Sequence, residues 1–242
     1  MRNEDLDPQR SKAEFVAAML EDLRWLGIWW QEGPDVGGPY VPYVQSRRRK
    51  LYLEAWRTLV RAGFVYPCRC SRKDLARMAQ APHDEDDEPL YPGTCRPERL
   101  PANETVVPES PAGLNWRFRV PDGEMITFED GHFGPQSYVA GRDFGDFLVW
   151  RRDDVPAYQL AVVADDAAMR ITEVVRGADL LRSTARQILV YRAFGLEPPA
   201  WYHCPLTLDA GGQRLAKRHD ALSLRTLRQQ GKTPEEVIAI FG

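Results

Sequence analysis

Cys68-Arg69-Cys70 and the later Tyr91-Pro92-Gly93-Thr94-Cys95 give a C-x-C…Y-x-x-x-C pattern. Two thiolates close together and a third returning after a loop are what a tetrahedral zinc ion needs. The segment between them has few apolar residues, so a metal would close a region that cannot build its own core. One structural zinc per chain is the expectation. Cys68, Cys70 and Cys95 supply three ligands, and the fourth is open between Tyr91 and His83. Cys204, isolated in "WYHCPLTL", reads as a buried strand residue.

Two further patterns could carry chemistry. "LDAGGQRLAKRHDALSL" sets a turn, Asp209 to Gly212, before a basic stretch that ends at a helix cap, Ser223. A loop bringing Lys217 and Arg218 to a site suits stabilisation of phosphate charge, although a solvated basic turn is the simpler alternative. Arg176 ends the apolar run "ITEVVRG", where it forms either a structural ion pair or part of a ligand site at a strand's carboxyl end. The chain also opens on three carboxylates, Glu4, Asp5 and Asp7, as a loop aiming acids at a site would.

These residues need elements to position them. Residues 11–27 read as a helix with a Ser11/Glu14 capping box, an apolar face of Phe15, Met19, Leu23 and Leu26, and Gly27 as its stop. A second helix spans 46–63 with Tyr52, Trp56, Leu59 and Val60 on one stripe. Strands are expected at 115–120, 125–128 and 146–151, and the acidic run at 84–88 as a solvated loop. "AYQLAVVADDAA" fits a buried strand or a helix, with helix preferred. "ITEVVRG" (171–177) reads as a buried strand, and 183–195 as a helix capped by Ser183 and stopped by Gly195. This alternation predicts an α/β fold around a parallel sheet.

The totals are compatible with that. The 242 residues, 43% hydrophobic and 28% charged, are globular in composition. A net charge of −3 excludes a uniformly basic nucleic-acid coat and leaves room for local patches such as "RRRK" at 47–50. The absence of any long apolar run predicts no membrane contact, and a cytoplasmic location is expected. Four cysteines in such a chain point to metal or burial before disulfides.

"EDLDPQRS", "EDLRWLGIWWQEGPDVGGPYVPYVQS", "YPCRCSR", "AYQLAVVADD", "ITEVVRGADLL", "TARQILVYRAFG" and "RLAKRHDALSL" follow one another along nearly the whole chain. Together they resemble the glutamyl-tRNA synthetases, and most closely the short glutamyl-Q tRNA(Asp) synthetases. The resemblance implies a Rossmann-like class I aminoacyl-tRNA synthetase catalytic domain: a parallel sheet with an inserted zinc-binding, acceptor-binding region. It divides the chain into a first catalytic part (1–66), the insertion (67–150), a second catalytic part (151–208), and a KMSKS-type loop with a helical tail (209–242).

The implied activity is ATP-dependent formation of glutamyl-adenylate, with Mg2+, and transfer of glutamate to queuosine at the wobble position of tRNA(Asp). Glu4, in an "R-x-E-D-x-D" element, would bind the glutamate ammonium; Tyr158 and Arg176 match the other glutamate-binding positions. Arg214, Leu215, Ala216, Lys217 and Arg218 match the KMSKS-type signature, with Lys217 the catalytic, ATP-contacting lysine. Cys68, Cys70, Tyr91 and Cys95 match the zinc ligands, which raises Tyr91 above His83. In the family a first strand, a serine-containing loop and a HIGH-type motif precede the element that here begins at Arg2. The chain as written is therefore expected to lack them and to be inactive. A monomer is expected. The rival expectations are a fragment of a glutamyl-tRNA synthetase charging tRNA(Glu), disfavoured by the end at Gly242, and a non-catalytic zinc-containing RNA-binding remnant.

Overall fold

The computed structural model describes residues 1–7, 11–71, 74, 90–98, 107–207 and 223–241. It divides into two units, one of residues 1–48 with 205–242 and one of residues 49–204.

In the first unit, α1 runs Ala13–Trp25 and ends as expected: Gly27, at φ +79, turns the chain, and its N–H and that of Ile28 donate to Arg24 and Leu23. The expected capping box is absent. Lys12 is the N-cap, with no side-chain cap bond. The expected apolar face also fails, because Phe15 and Met19 are 56% and 38% exposed. The buried residue of α1 is Asp22, which binds Arg225 of α5 (Leu224–Gln229) at 3.1 Å. Ion pairs link these helices, and the buried residue of α5 is Leu227. Ser223 caps α5 as expected, accepting from the Thr226 N–H. A last helix, α6, spans Pro234–Phe241. The opening residues lie along the loop before residue 45, where Asn3 bridges Val44 and the Asp5 carboxylate accepts from the Ser46 N–H and hydroxyl.

The second unit begins with α2 (Arg49–Arg61), whose buried residues are Tyr52, Trp56, Leu59 and Val60, as the stripe predicts. A three-stranded antiparallel sheet follows: β1 (Val65–Cys68), β2 (Asn115–Phe118) and β5 (Phe147–Trp150), in the order β1-β2-β5. Trp56 enters the core here, 4.9 Å edge-on from Trp116 and 6.4 Å from Trp150.

The second sheet contains β3 (Met125–Asp130), β4 (Gly134–Val139), β6 (Glu173–Gly177) and β7 (Ala200–Cys204), in the order β4-β3-β7-β6. It is mixed: β3, β7 and β6 are parallel, and β4 is antiparallel to β3. Two further helices belong to this unit, α3 (Tyr158–Ala168), which resolves the strand-or-helix choice, and α4 (Leu181–Ala193). Three readings need correction. β6 is an edge strand with Val175 62% exposed, so its run of valines reflects strand propensity rather than two-sided burial. Ser183 lies inside α4 and accepts from the Gln159 amide instead of capping the helix. Cys204 lies on a strand, β7, but is only half-buried. Among the described residues, no helix is long and apolar enough to cross a membrane.

Candidate functional site

Two side-chain clusters in the second unit have the chemistry of a site. The first is built where β1 ends. Cys68 closes the strand, Cys70 follows it, and the chain returns at 91–95 to bring Cys95 back. The three Sγ atoms lie within 4.8 Å of one another, and those of Cys70 and Cys95 are 3.6 Å apart. That separation is too long for a disulfide and close to the ~3.8 Å edge of a tetrahedron with ~2.3 Å zinc–sulfur bonds. The Tyr91 hydroxyl lies 3.4 Å from the Cys68 sulfur and 3.7 Å from that of Cys70, and it accepts from the Cys95 N–H at 2.7 Å. The three-cysteine donor set therefore fits a metal such as zinc, with the Tyr91 hydroxyl beside it. His83 lies outside the described residues.

The surroundings prepare these donors unequally. Burial pushes the Cys70 thiol up to about 11. For Cys95, burial acts in the same direction, but the Arg69 N–H and the Tyr91 hydroxyl outweigh it and bring the thiol to about 7. Burial raises the Tyr91 phenol, and the neighbouring thiols add to this. Buried Arg117 lies over the Tyr91 ring, 3.9 Å from its centroid, and donates to the Asp146 carbonyl. Asn115 ties the cluster to the sheet through the Cys70 carbonyl at 3.0 Å, and Gly145 lets a neighbouring segment pass, since a Cβ there would meet the Tyr91 backbone nitrogen at 3.3 Å. Beside the cluster opens a cleft of about 390 Å³, lined in part by Asn115, Arg151 and Arg152.

The second cluster lies where the parallel strands meet α3 and α4. Arg176, near the end of β6, donates from Nε to His203 Nε2 (3.1 Å), from Nη1 to Tyr158 Oη (3.3 Å) and Gln187 Oε1 (2.9 Å), and from Nη2 to Thr184 Oγ1 (2.6 Å). None of these acceptors carries a negative charge. The alternative of a direct structural ion pair is thus not the arrangement among the described residues. A half-buried guanidinium held by neutral acceptors keeps its attraction for a carboxylate, and exposed Tyr158 marks its accessible side. Behind it, His203 Nδ1 lies 2.5 Å from Asp130 Oδ2. Burial opposes the charge on Asp130, but the bond to His203 and the N–H groups of Phe133, His132 and His203 prevail and hold it down at about 2.

The expected site residues are thus partly assembled. Tyr158 and Arg176 meet, as do Cys68, Cys70, Tyr91 and Cys95. Glu4 belongs to the first unit, where its carboxylate accepts from Arg2 at 2.9 Å. Arg214, Leu215, Ala216, Lys217 and Arg218 lie outside the described residues. His203, Asp130, Thr184 and Gln187 were not legible as site residues. Their only signal was the apolar strand and helix runs that carry polar groups at these positions.

The comparisons with known proteins agree with this architecture. The model of the catalytic domain of class I tRNA synthetases (E and Q) matches residues 1–242. A glutamyl-Q tRNA(Asp) synthetase from Nitratidesulfovibrio vulgaris is 51% identical over 235 residues, 96% of this chain and 71% of the relative. One from Symbiobacterium thermophilum is 50% identical over 240 residues, 98% of this chain and 73% of the relative. The crystal structure of a glutamate-tRNA synthetase from Elizabethkingia anophelis superposes with a TM-score of 0.73 at 28% identity, covering 90% of this chain and 45% of that one. With its α/β layering, its mixed sheet and its cysteine cluster, the chain belongs to the class I tRNA synthetases of the E and Q type.

Proposed function

We propose that the protein is a ligase that activates glutamate with ATP and transfers it to queuosine in tRNA(Asp). The observation that carries the glutamate part is Arg176, a guanidinium fixed by neutral acceptors with Tyr158 beside it. The acceptor part rests on the relatives named glutamyl-Q tRNA(Asp) synthetase, which share about half their residues with this chain.

Activation joins an α-carboxylate oxygen of glutamate to the α-phosphorus of ATP and expels pyrophosphate. A hydroxyl of queuosine then attacks the carbonyl of the adenylate, and AMP leaves with the bonding pair. The γ-carboxylate survives both steps, so it is the group suited to Arg176 and Tyr158. Glu4 is assigned the ammonium, and Lys217 the charge that develops on the phosphate. Cys68, Cys70, Cys95 and Tyr91 would hold one structural zinc, which when bound crosslinks the segments flanking β1 and residue 95. The adjacent cleft, where Arg152 lies beside an Arg151–Asp153 ion pair, is the proposed place for RNA phosphates. ATP is expected as its Mg2+ complex, and the protein as a cytoplasmic monomer.

The full natural protein should therefore catalyse glutamate-dependent exchange of pyrophosphate with ATP. Lys217→Ala should lower its rate about a hundredfold with little change in glutamate affinity. Exchange that ignores glutamate would contradict the ligase reading; an unchanged Lys217→Ala rate would contradict the lysine's assignment.

A further inference from the structure

The side of Arg176 away from Tyr158 is built with more care than a carboxylate contact alone requires. His203 is its register partner across the parallel β6–β7 pair, and Asp130 ends β3 on the other side of β7. His203 is completely buried and Asp130 nearly so. The guanidinium can only donate, so His203 Nε2 must accept, and the ring proton is on Nδ1, directed at Asp130 Oδ2. Asp130 is itself immobilised, because Oδ1 accepts the N–H groups of His132 (3.1 Å), Phe133 (2.9 Å) and His203 (3.3 Å). A chain of fixed acceptors therefore runs from a strand end to the side edge of the guanidinium. His203 takes Nε–H and Thr184 takes an Nη2–H on that edge, while Nη1 donates to Gln187 and, more weakly, to exposed Tyr158. A substrate carboxylate would therefore meet the remaining Nη2–H and the Nη1–H now shared with Tyr158.

The imidazole also separates charges. A carboxylate in van der Waals contact with Arg176 would orient it equally well but neutralise it. With His203 between them, Asp130 sets the tautomer and the ring supplies an uncharged acceptor, much as outer carboxylates orient histidines in other sites.

We propose that Asp130 and His203 are positioning residues that aim Arg176 at the substrate carboxylate without quenching its charge. This rests on the reading of Arg176 as a glutamate contact. It goes beyond that reading by making glutamate affinity depend on a buried pair that touches no substrate.

The test follows the Nε–H resonance of Arg176 in 15N-labelled protein, identified by its loss in Arg176→Lys, together with glutamate and ATP titrations. His203→Gln, which keeps an acceptor, should retain the resonance and bind glutamate within about threefold of wild type. His203→Leu should broaden or lose the resonance and weaken glutamate about ten- to a hundredfold, the usual loss for a bond to a charged group, with ATP affinity unchanged. If the leucine variant does not fold, Asp130→Asn gives the same test, because its amide no longer enforces the tautomer; a several-fold loss for glutamate alone is expected. A His203→Leu or Asp130→Asn protein with the wild-type resonance and wild-type glutamate affinity would overturn the positioning role. A wild type with the resonance but no glutamate response would instead overturn the glutamate reading of the site.

Discussion

Cys70→Ser is expected to lower zinc affinity at least about a hundredfold, and to loosen one part of the fold while sparing the rest. Cys70 is central to the cluster: its sulfur lies 3.6 Å from that of Cys95 and 3.7 Å from the Tyr91 hydroxyl, and its carbonyl is held by Asn115. Wild-type protein washed with chelator should keep about one zinc per chain, and the variant should not. Hydrogen exchange should rise at 66–70, 91–95 and β2, while α3, α4 and the four-stranded sheet keep their protection. Arg117 gives a second handle. Three thiolates and one Zn2+ leave a net negative centre, and the buried guanidinium over Tyr91 is a cation placed to balance it. Arg117→Met should therefore speed zinc loss to a competing chelator about tenfold. Binding requires thiolates, and the Cys70 thiol is pushed up to about 11, so zinc affinity should fall as pH falls. A washed wild type without metal but with an ordered cluster would contradict the metal assignment.

Arg176→Ala should abolish measurable glutamate binding, a loss of about a hundredfold or more, because it removes both the charge and the fork that a carboxylate pairs with. Arg176→Lys should recover little. A lysine ammonium cannot serve His203, Thr184, Gln187 and Tyr158 at once, as the planar guanidinium does. Arg176→Ala should also cost stability, because His203, Thr184 and Gln187 are buried and each loses its donor, while Tyr158 alone among the partners is exposed. Calorimetric titration with glutamate, alongside thermal unfolding, separates the two. Glutamate affinity within threefold of wild type in Arg176→Ala would exclude this arginine as the carboxylate contact.

Much of this was legible in the sequence where the signal is local. The stripe of Tyr52, Trp56, Leu59 and Val60, the glycine stops at Gly27 and Gly195 and the Ser223 cap follow from side-chain spacing and backbone conformation alone. The cysteine cluster was readable because its ligands lie in two short motifs. The Asp130–His203–Arg176 relay was not, because each member comes from a different strand and is brought together by a parallel register that no local pattern encodes. The same limit explains β6: a valine-rich run looks alike at the centre and the edge of a sheet. The capping box failed because the helix begins later than its motif, and on α1 the buried position is Asp22, paired with two arginines, while Phe15 and Met19 of the expected face are exposed.

Which RNA atom receives glutamate tests the central claim most directly. Isotope-labelled glutamate, ATP and the full natural protein would be incubated with tRNA(Asp) containing queuosine, tRNA(Asp) lacking it, and tRNA(Glu), and the attachment site located by nuclease mapping and mass spectrometry. Label on the queuosine nucleotide of tRNA(Asp), with none on the other two, is the expected result, because a modified base in a single-stranded loop is open to splaying and direct contact. Label on the 3′ end of tRNA(Glu) would contradict the account.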